Sequence, residues 1–373
     1  MKKIKITHIL HCVGGVEVSL RLITKNINSD KYENIIVHGL KDTNTVFSDR
    51  NDQQLKSYKL PIYREIALLS DLKSIYSTYK IIKKERPDII HAHSAKGGVI
   101  GRIAGMVLGI KTIYTPQAFS YLSSQNKTKR FLFLCIERLL ANKSGLLLAS
   151  SASEQQRAIN EVNYKNTNTA IFPNSIDPIE LIQPITINKT WPDEYICTVG
   201  RPSYQKNIEM MIKALHQVRH TNKIHLVIMG VGHHVGQLES VKNLIKKLEL
   251  TSAVTLLDWT ARTDVFNIIS KSKFYLSTAR YEGMPYAVIE SLALSKPCVV
   301  TDCDGNRDLI RDGYNGYVVN QNDVEAFAEK VNTLLQDDQL CQAFAQNAQQ
   351  SFNDHYNIKH NIKNLEAIYN EYS

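Results

Sequence analysis

Short runs of β-branched and other apolar residues recur along the chain and alternate with segments whose apolar positions fall three or four apart. "KIKITHIL" leads into "VEVSLRLITKNI", "ENIIVHGL" into a polar connection, and the helical "SDLKSIYSTYKIIKKERPD" into "DIIHAHS". "KTIYTPQAF", "GLLLASS" and "AIFPNSID" continue the rhythm. After the polar, proline-bearing "PITINKTWPDE" it restarts with "YICTVGR", "HLVIMG", "AVTLLDW", "FYLSTA" and "CVVTD". Such alternation predicts parallel sheets covered by helices, hence an α/β fold. The restart predicts two Rossmann-like domains, residues 1–175 and 176–350. Residues 351–373, with Ile362, Leu365, Ile368 and Tyr369 on one side, predict a final helix that docks by that side. No solenoid-like repeat is present. Ligands of open α/β sheets bind at the carboxyl ends of the strands, so a cleft between the two domains is the expected active site.

Composition narrows the class. The 373 residues exceed what one hydrophobic core usually supports. With 43% apolar and 22% charged residues and no low-complexity run, the chain reads as soluble and globular. No apolar stretch approaches the roughly 20 residues that span a bilayer, and the start, "MKKIKITHILHCVGG", reads as a first strand. Six cysteines are scattered without a Cys-x-x-Cys pair, which suits reduced, buried thiols and a cytosolic setting. Charge is uneven: residues 1–175 hold 26 Lys and Arg against 13 Asp and Glu, and the remainder 19 against 23. A first half at +13 beside a remainder at −4 suits contact with an anionic surface, although solvated basic faces are common.

The loops after the strands carry the chemistry. In "ARYEGMPYAVIESLALSKP", Pro285 suits the first turn of a helix, placing Glu282 just before its N-terminus and Glu290 about a turn and a half inside. The amides of Gly283, Met284 and Tyr286 at such an N-terminus form an anion site fit for a phosphate. Glu282 can accept hydrogen bonds from sugar hydroxyls and Glu290 from a vicinal diol such as a ribose. The plainer alternative is that Glu282 caps the helix and Glu290 faces solvent. In "TVGRPSYQKNIEMMIKAL", Arg201 and Lys206 let two cations reach one diphosphate without a metal. In "LHCVGGVEVSLRLI", Gly14 and Gly15 allow backbone amides to approach a ligand between strand and helix.

Taken together these motifs resemble the family 4 glycosyltransferases, retaining enzymes of the glycosyltransferase-B fold. The resemblance spans essentially the whole chain: Gly14 to Glu17, "DIIHAHS", "YTPQAF", "FPNSID", "VGRPSYQKN", the Glu282/Glu290 motif and "CDGNRDLI". It implies that Arg201 and Lys206 bind the diphosphate and stabilise its charge as it leaves, with Glu282 on the transferred sugar and Glu290 on the ribose. It also implies donor contacts at Gly14, Gly15, Gly283, Met284, Pro285 and Tyr286, and a final helix that crosses back to the first domain. The sequence departs from the family at "TPQAF", where Gln117 and Ala118 stand in place of the usual histidine and glycine. A glutamine can hydrogen-bond a sugar but cannot take up a proton, so an acid/base role there is in doubt. Ser175 likewise replaces a usual glycine in "PNSID".

His91 and His93 share a face of one strand, as a zinc site requires, but the sequence shows no third ligand. A buried histidine pair, with His93 as an acceptor contact beside Gln117, is the expectation. Asp302-Cys303-Asp304 has the Asp-x-Asp form that holds a divalent metal in another glycosyltransferase fold, but here it reads as the close of a strand. Gly230, Gly232 and Gly236 miss the dinucleotide spacing by one residue. No metal or cofactor is expected beyond the nucleotide-sugar donor, with UDP the nucleotide to which the family leans.

The expected reaction, following the family, is transfer of a hexose or N-acetylhexosamine with retention of configuration. The alternatives are a sugar-nucleotide epimerase of related fold or a non-catalytic nucleotide-sugar-binding protein. Lys80, Lys83, Lys84 and Arg86 on one helix, and Lys127, Lys129 and Arg130 beside the apolar "FLFLCIERLL", suit an anionic membrane surface if the apolar face is free. The alternative for the second segment is a helix that buries Phe131, Leu132, Leu134 and Ile136 against the sheet. The resulting expectation is a cytoplasmic enzyme, peripheral on the inner membrane, acting on a lipid-linked saccharide in capsule, O-antigen or lipopolysaccharide assembly, with no nucleic-acid partner.

Overall fold

The structure, a computed structural model, describes residues 2–63, 67–143, 145–180, 184–232 and 237–373, so Gly236 lies outside the described residues. The chain divides into two compact units, Met1–Asp177 with Ile358–Ser373, and Pro178–Asn357.

The first unit runs β1 (Ile4–Ile9), α1 (Gly15–Asn26), β2 (Tyr32–Gly39), β3 (Lys56–Leu60), α2 (Leu68–Glu85), β4 (Ile89–His93), α3 (Ser94–Leu108), β5 (Thr112–Thr115), α4 (Lys127–Leu140), β6 (Gly145–Ala149), α5 (Ala152–Asn160) and β7 (Thr169–Ile171). The second runs β8 (Tyr195–Val199), α6 (Ile208–Val218), β9 (His225–Met229), α7 (Leu238–Lys247), β10 (Val254–Leu257), α8 (Arg262–Lys271), β11 (Tyr275–Ser277), α9 (Tyr286–Ala293), β12 (Cys298–Thr301), α10 (Asn306–Leu309), β13 (Gly316–Val319), α11 (Val324–Gln336) and α12 (Asp338–His355). The last helix, α13 (Ile358–Tyr372), belongs to the first unit.

Both sheets are parallel, in the orders β3-β2-β1-β4-β5-β6-β7 and β10-β9-β8-β11-β12-β13. The order reverses between β1 and β4 in the first and between β8 and β11 in the second. Such switch points open a crevice above the strand ends, because the helices that follow the two central strands lie on opposite faces. The candidate residues sit there: Gly14 and Gly15 after β1, His93 at the end of β4, Arg201 and Lys206 after β8, and Glu282 after β11. The central strands β4 and β9 are buried along their whole length, as a sheet covered on both faces requires.

The helices cover the sheets by their apolar faces. On α6, Met211, Leu215 and Val218 are buried against Leu226, Ile228 and Phe274 in one continuous core. In the first unit, Ile362, Leu365 and Tyr369 of α13 are buried with Ile6, Ile89 and Ile113, and Ile368 packs at the margin. The unit boundary falls between Asn357 and Ile358, so α12 stays wholly with the second unit.

Two strands escape the sequence pattern. β3 and β13 each lie at the edge of their sheet, and β3, "KSYKL", has no fully buried residue. An edge strand with a solvated face need not carry the continuous apolar run that marks a central one. The alternative in which α4 buries Phe131 and Leu132 against the sheet is not what the structure shows. They are 65% and 52% exposed, with Leu139 62% exposed, while Glu137 and Leu140 form the inner side of α4. The inner side is polar at its centre because Glu137 pairs with the buried Arg102 at 2.8 Å and accepts from Tyr114 at 3.0 Å. All six cysteines are free thiols.

Candidate functional site

In the second unit the loops after β8 and β11 are laced together. The backbone N–H of Arg280 donates to Gln205 O at 2.8 Å, Arg280 Nη1 to Tyr204 O at 2.7 Å, and Thr278 Oγ1 to Lys206 O at 3.0 Å. At the centre Lys206 Nζ donates to Glu282 Oε1 at 2.7 Å, and Gln205 Nε2 to Glu282 Oε2 at 3.2 Å. Glu282 is buried with both oxygens engaged. The alternative in which it caps the helix is therefore excluded: α9 has no side-chain cap and no acidic residue in its first turn. Pro285 is the N-cap rather than a residue of the first turn, with φ −74° and ψ 121°, so it stops one position earlier than its sequence preference suggests. An N-terminus without side-chain neutralisation presents the positive end of the helix dipole beside Lys206. Gly283 and Met284 are held close by the next loop: a Cβ on Gly305 would lie 2.4 Å from Gly283 O, so only a glycine, here at φ +78°, lets the two turns touch.

Glu290 occupies the following turn of α9 and is 6% exposed rather than facing solvent. Its carboxylate lies 2.6 Å from Arg262 Nη2 at the start of α8. Burial raises its pKa to about 7, and Arg262 opposes that rise. Arg201 stands exposed two residues beyond β8, in the same loop as Lys206. Sequence reasoning missed Arg262, Gln205 and Arg280, since each acts through contacts between segments far apart in the chain.

The Asp-x-Asp motif follows β12. Asp302 and Asp304 both face Arg307, at 2.5 and 3.2 Å. Their charge is thus met by a cation of the same turn.

The first unit holds the remaining candidates. Gly14 is the N-cap of α1 at φ 62° and ψ −130°, a backbone conformation that favours glycine, and Gly15 opens the helix. The structure does not bring these two into one unit with Gly283–Glu290. His91 and His93 share a face of β4 as expected, but the absence of a third histidine is corrected. His8, in register with His91 on β1, completes a buried group whose ligand atoms lie within 4.8 Å of one another. Its periodicity was hidden because the partner lies on another strand. All the ring nitrogens but His93 Nδ1 are engaged in hydrogen bonds: His8 Nδ1 with His93 Nε2 at 3.0 Å, His8 Nε2 with Asn34 Oδ1 at 3.0 Å, and His91 with Tyr369 Oη at 2.7 Å and Thr115 Oγ1 at 2.9 Å. Metal ligation by all three would break several of these bonds. Burial lowers the His8 pKa to about 4 and holds those of His91 and His93 well below the usual range, with neighbouring histidines adding to it. Gln117 and Ala118 adopt φ 52° and 76°, pinned where Glu154 Oε1 accepts from the Ala118 N–H at 2.7 Å.

The comparisons with known proteins follow the two units. Residues 14–175 match the glycosyl transferase 4-like domain, and residues 183–351 match the glycosyl transferases group 1 family. The chain belongs to the group 1 glycosyltransferases. Among curated members it is 28% identical to the UDP-Gal:alpha-D-GlcNAc-diphosphoundecaprenol alpha-1,3-galactosyltransferase of Escherichia coli, over 98% of this chain and 97% of the relative. It is 25% identical to the capsular polysaccharide biosynthesis glycosyltransferase CapM of Staphylococcus aureus, over 100% and 98%. Among solved structures, sucrose-phosphate synthase of Thermosynechococcus elongatus superposes with a TM-score of 0.84 at 15% identity, covering 99% of each chain. This group 1 glycosyltransferase therefore has the glycosyltransferase-B fold of two Rossmann-like domains.

Proposed function

We propose that this glycosyltransferase moves a hexose or N-acetylhexosamine from a UDP-sugar to a hydroxyl of a lipid-diphosphate-linked saccharide in surface polysaccharide synthesis, with retention of configuration. The observation that carries the reading is the Lys206–Glu282 pair beside the uncapped N-terminus of α9, with Glu290 one turn further on. A cation and a helix dipole suit a diphosphate, one carboxylate suits the hydroxyls of the sugar, and the other suits the ribose diol. The galactosyltransferase relative acts, by its name, with UDP-Gal on a diphosphoundecaprenol-linked GlcNAc, and CapM is named for capsular polysaccharide.

In this reading the second unit holds the donor and the first unit the acceptor. Arg201, Lys206 and the amides of Gly283, Met284 and Tyr286 take up the charge that develops on the departing diphosphate. Pro285 sets the turn that aims them. The leaving oxygen helps to deprotonate the incoming hydroxyl on the same face of the sugar, and His93 and Gln117 hold the acceptor. Lys206 and Arg201 supply the positive charge, so a divalent ion is not required.

The first unit also supplies a surface. Phe131, Leu132 and Leu139 project from α4 beside the exposed Lys127, Lys129 and Arg130. On α2, Leu69, Leu72 and Tyr76 project from a helix that carries the exposed Lys80, Lys83 and Lys84, with Arg86 at its end. Apolar groups among cations fit an anionic lipid surface, where a lipid-linked acceptor resides. No helix among the described residues is long and apolar enough to cross a membrane, and in this reading the enzyme associates peripherally through these two helices, on the cytoplasmic face.

The test is product formation from UDP-sugars and a GlcNAc-diphospho-lipid in EDTA, with the anomeric configuration read by NMR. A retained product in EDTA is expected, and Lys206→Ala should lower kcat by more than it weakens donor binding. An isomerised nucleotide sugar without acceptor would indicate an epimerase, and activity restored only by Mg²⁺ or Mn²⁺ would overturn the metal-free reading.

A further inference from the structure

Asp264, in the first turn of α8, is buried, and both of its oxygens are taken by one residue of a distant segment. Thr186 donates its backbone N–H to Oδ1 at 2.7 Å and its hydroxyl to Oδ2 at 2.6 Å. Thr186 lies in "PITINKTWPDE", the stretch that leads the chain into β8. Two parallel hydrogen bonds to a carboxylate fix orientation as well as distance. They also stand in for a cap, because Ala261, the N-cap of α8, makes no side-chain hydrogen bond and leaves the first turn without that support.

Arg262 springs from the same turn, two residues before Asp264. Its side chain is 44% exposed whereas the Glu290 side chain it meets at 2.6 Å is 8% exposed, so the guanidinium reaches inward from the surface. Its other contact is the Phe266 ring, 5.2 Å away and one turn further on. A long, exposed side chain loses rotamer freedom when it is held in one place, so its contact is only as firm as the backbone that presents it. The body of α8 does not depend on that first turn, since Val265, Ile268 and Ile269 are buried.

We propose that Thr186 and Asp264 are positioning residues for the donor site, whose clamp holds the first turn of α8 so that Arg262 stays on the Glu290 carboxylate. The inference rests on the reading of Glu290 as the ribose carboxylate and adds the groups that keep it ready. The charged groups of α10 and α12, the other helices packed against α9, face other partners: Arg307 meets Asp302 and Asp304, Asp308 accepts from the Gly305 N–H, Asp338 pairs with Lys273, Asp354 accepts from Gln350, and His355 lies against Tyr356. Arg262 is the charged group that acts on Glu290, opposing the rise to about 7 that burial imposes. A loosened Arg262 therefore leaves Glu290 protonated to higher pH, and a protonated carboxyl accepts the hydrogen bonds of a diol more weakly.

Two measurements on the full chain test this. Carboxylate ¹³C NMR without ligand reads the Glu290 titration directly, and calorimetry reads UDP binding from pH 5.5 to 9. Thr186→Val removes the hydroxyl and keeps the shape, and Asp264→Asn keeps the size but offers an amide nitrogen that cannot accept. Each should raise the Glu290 midpoint, by up to about one unit, so that UDP binds up to about fivefold more weakly at pH 7 and regains its affinity by pH 9. Loss of the Asp264 charge acting directly on Glu290 would move the midpoint down, so the direction separates positioning from simple electrostatics. In an Arg262→Gln background neither substitution should move the midpoint further. Unchanged or lowered midpoints, shifts that persist in full without Arg262, or a loss of affinity that is equal at every pH overturn the proposal. Thr186 is exposed, so Thr186→Val decides the matter if Asp264→Asn does not fold. A midpoint that moves as expected in a protein that does not bind UDP upholds the clamp and refutes the donor reading instead.

Discussion

At the scale of single residues, Glu290 has the most informative surroundings. Its pKa of about 7 results from burial, opposed by Arg262, so its charge changes near neutrality. A ribose diol donates to an ionised carboxylate more strongly than to a protonated one. UDP-galactose should therefore bind more tightly as pH rises through about 7. Arg262→Gln removes the group that lowers the pKa and should shift the midpoint to higher pH; calorimetric titrations from pH 5.5 to 9 read both curves. An unchanged midpoint in the variant would show that Arg262 does not tune Glu290. Glu282, Glu290 and Lys206 could be singled out because their types and spacing lie within short continuous stretches, Glu282 and Glu290 in a loop and the helix that follows it. Arg262 was not, because its contact joins two helices, and no local pattern marks it. His8 escaped notice for the same reason, its partners being set by the register of β1 on β4.

Among the elements, the central strands and amphipathic helices were readable because burial on both sheet faces demands continuous apolar runs. Edge strands β3 and β13 escape that demand. α4 misled in the opposite direction, since "FLFLCIERLL" looks like a core helix yet its buried positions include Glu137, satisfied by Arg102. Its outward Phe131 and Leu132 yield a test at this scale. The protein should sediment with vesicles of anionic lipid at low salt and less at high salt, while Phe131→Ser with Leu132→Ser should weaken binding without loss of fold. Each exposed cation near the surface contributes on the order of 1 kcal/mol, so screening should be readily visible. Sedimentation that ignores lipid charge, salt and both substitutions would remove α4 from the membrane account.

For the whole molecule, the restart of the strand-helix rhythm after "PITINKTWPDE" marked two sheets, and the apolar side of "NIKHNIKNLEAIYNEYS" marked a docking helix. What the rhythm could not show is that α13 contributes a polar contact as well as packing: Tyr369 Oη bonds His91, tying the last helix to the histidine group of the first unit. Each unit places its candidate residues at its own switch point, where the topology opens the sheet.

The central claim is that the second unit binds the donor through α9 and its flanking loops. Thermal unfolding with UDP, ADP and NAD, in EDTA, for the unmodified protein and Glu290→Ala tests it most directly. UDP at about 100 times its Kd should stabilise by about 2.7 kcal/mol. The account predicts a rise in Tm with UDP that persists in EDTA and is lost in Glu290→Ala. A folded protein whose Tm ignores UDP, or a Glu290→Ala variant that responds as fully as the unmodified chain, would contradict it.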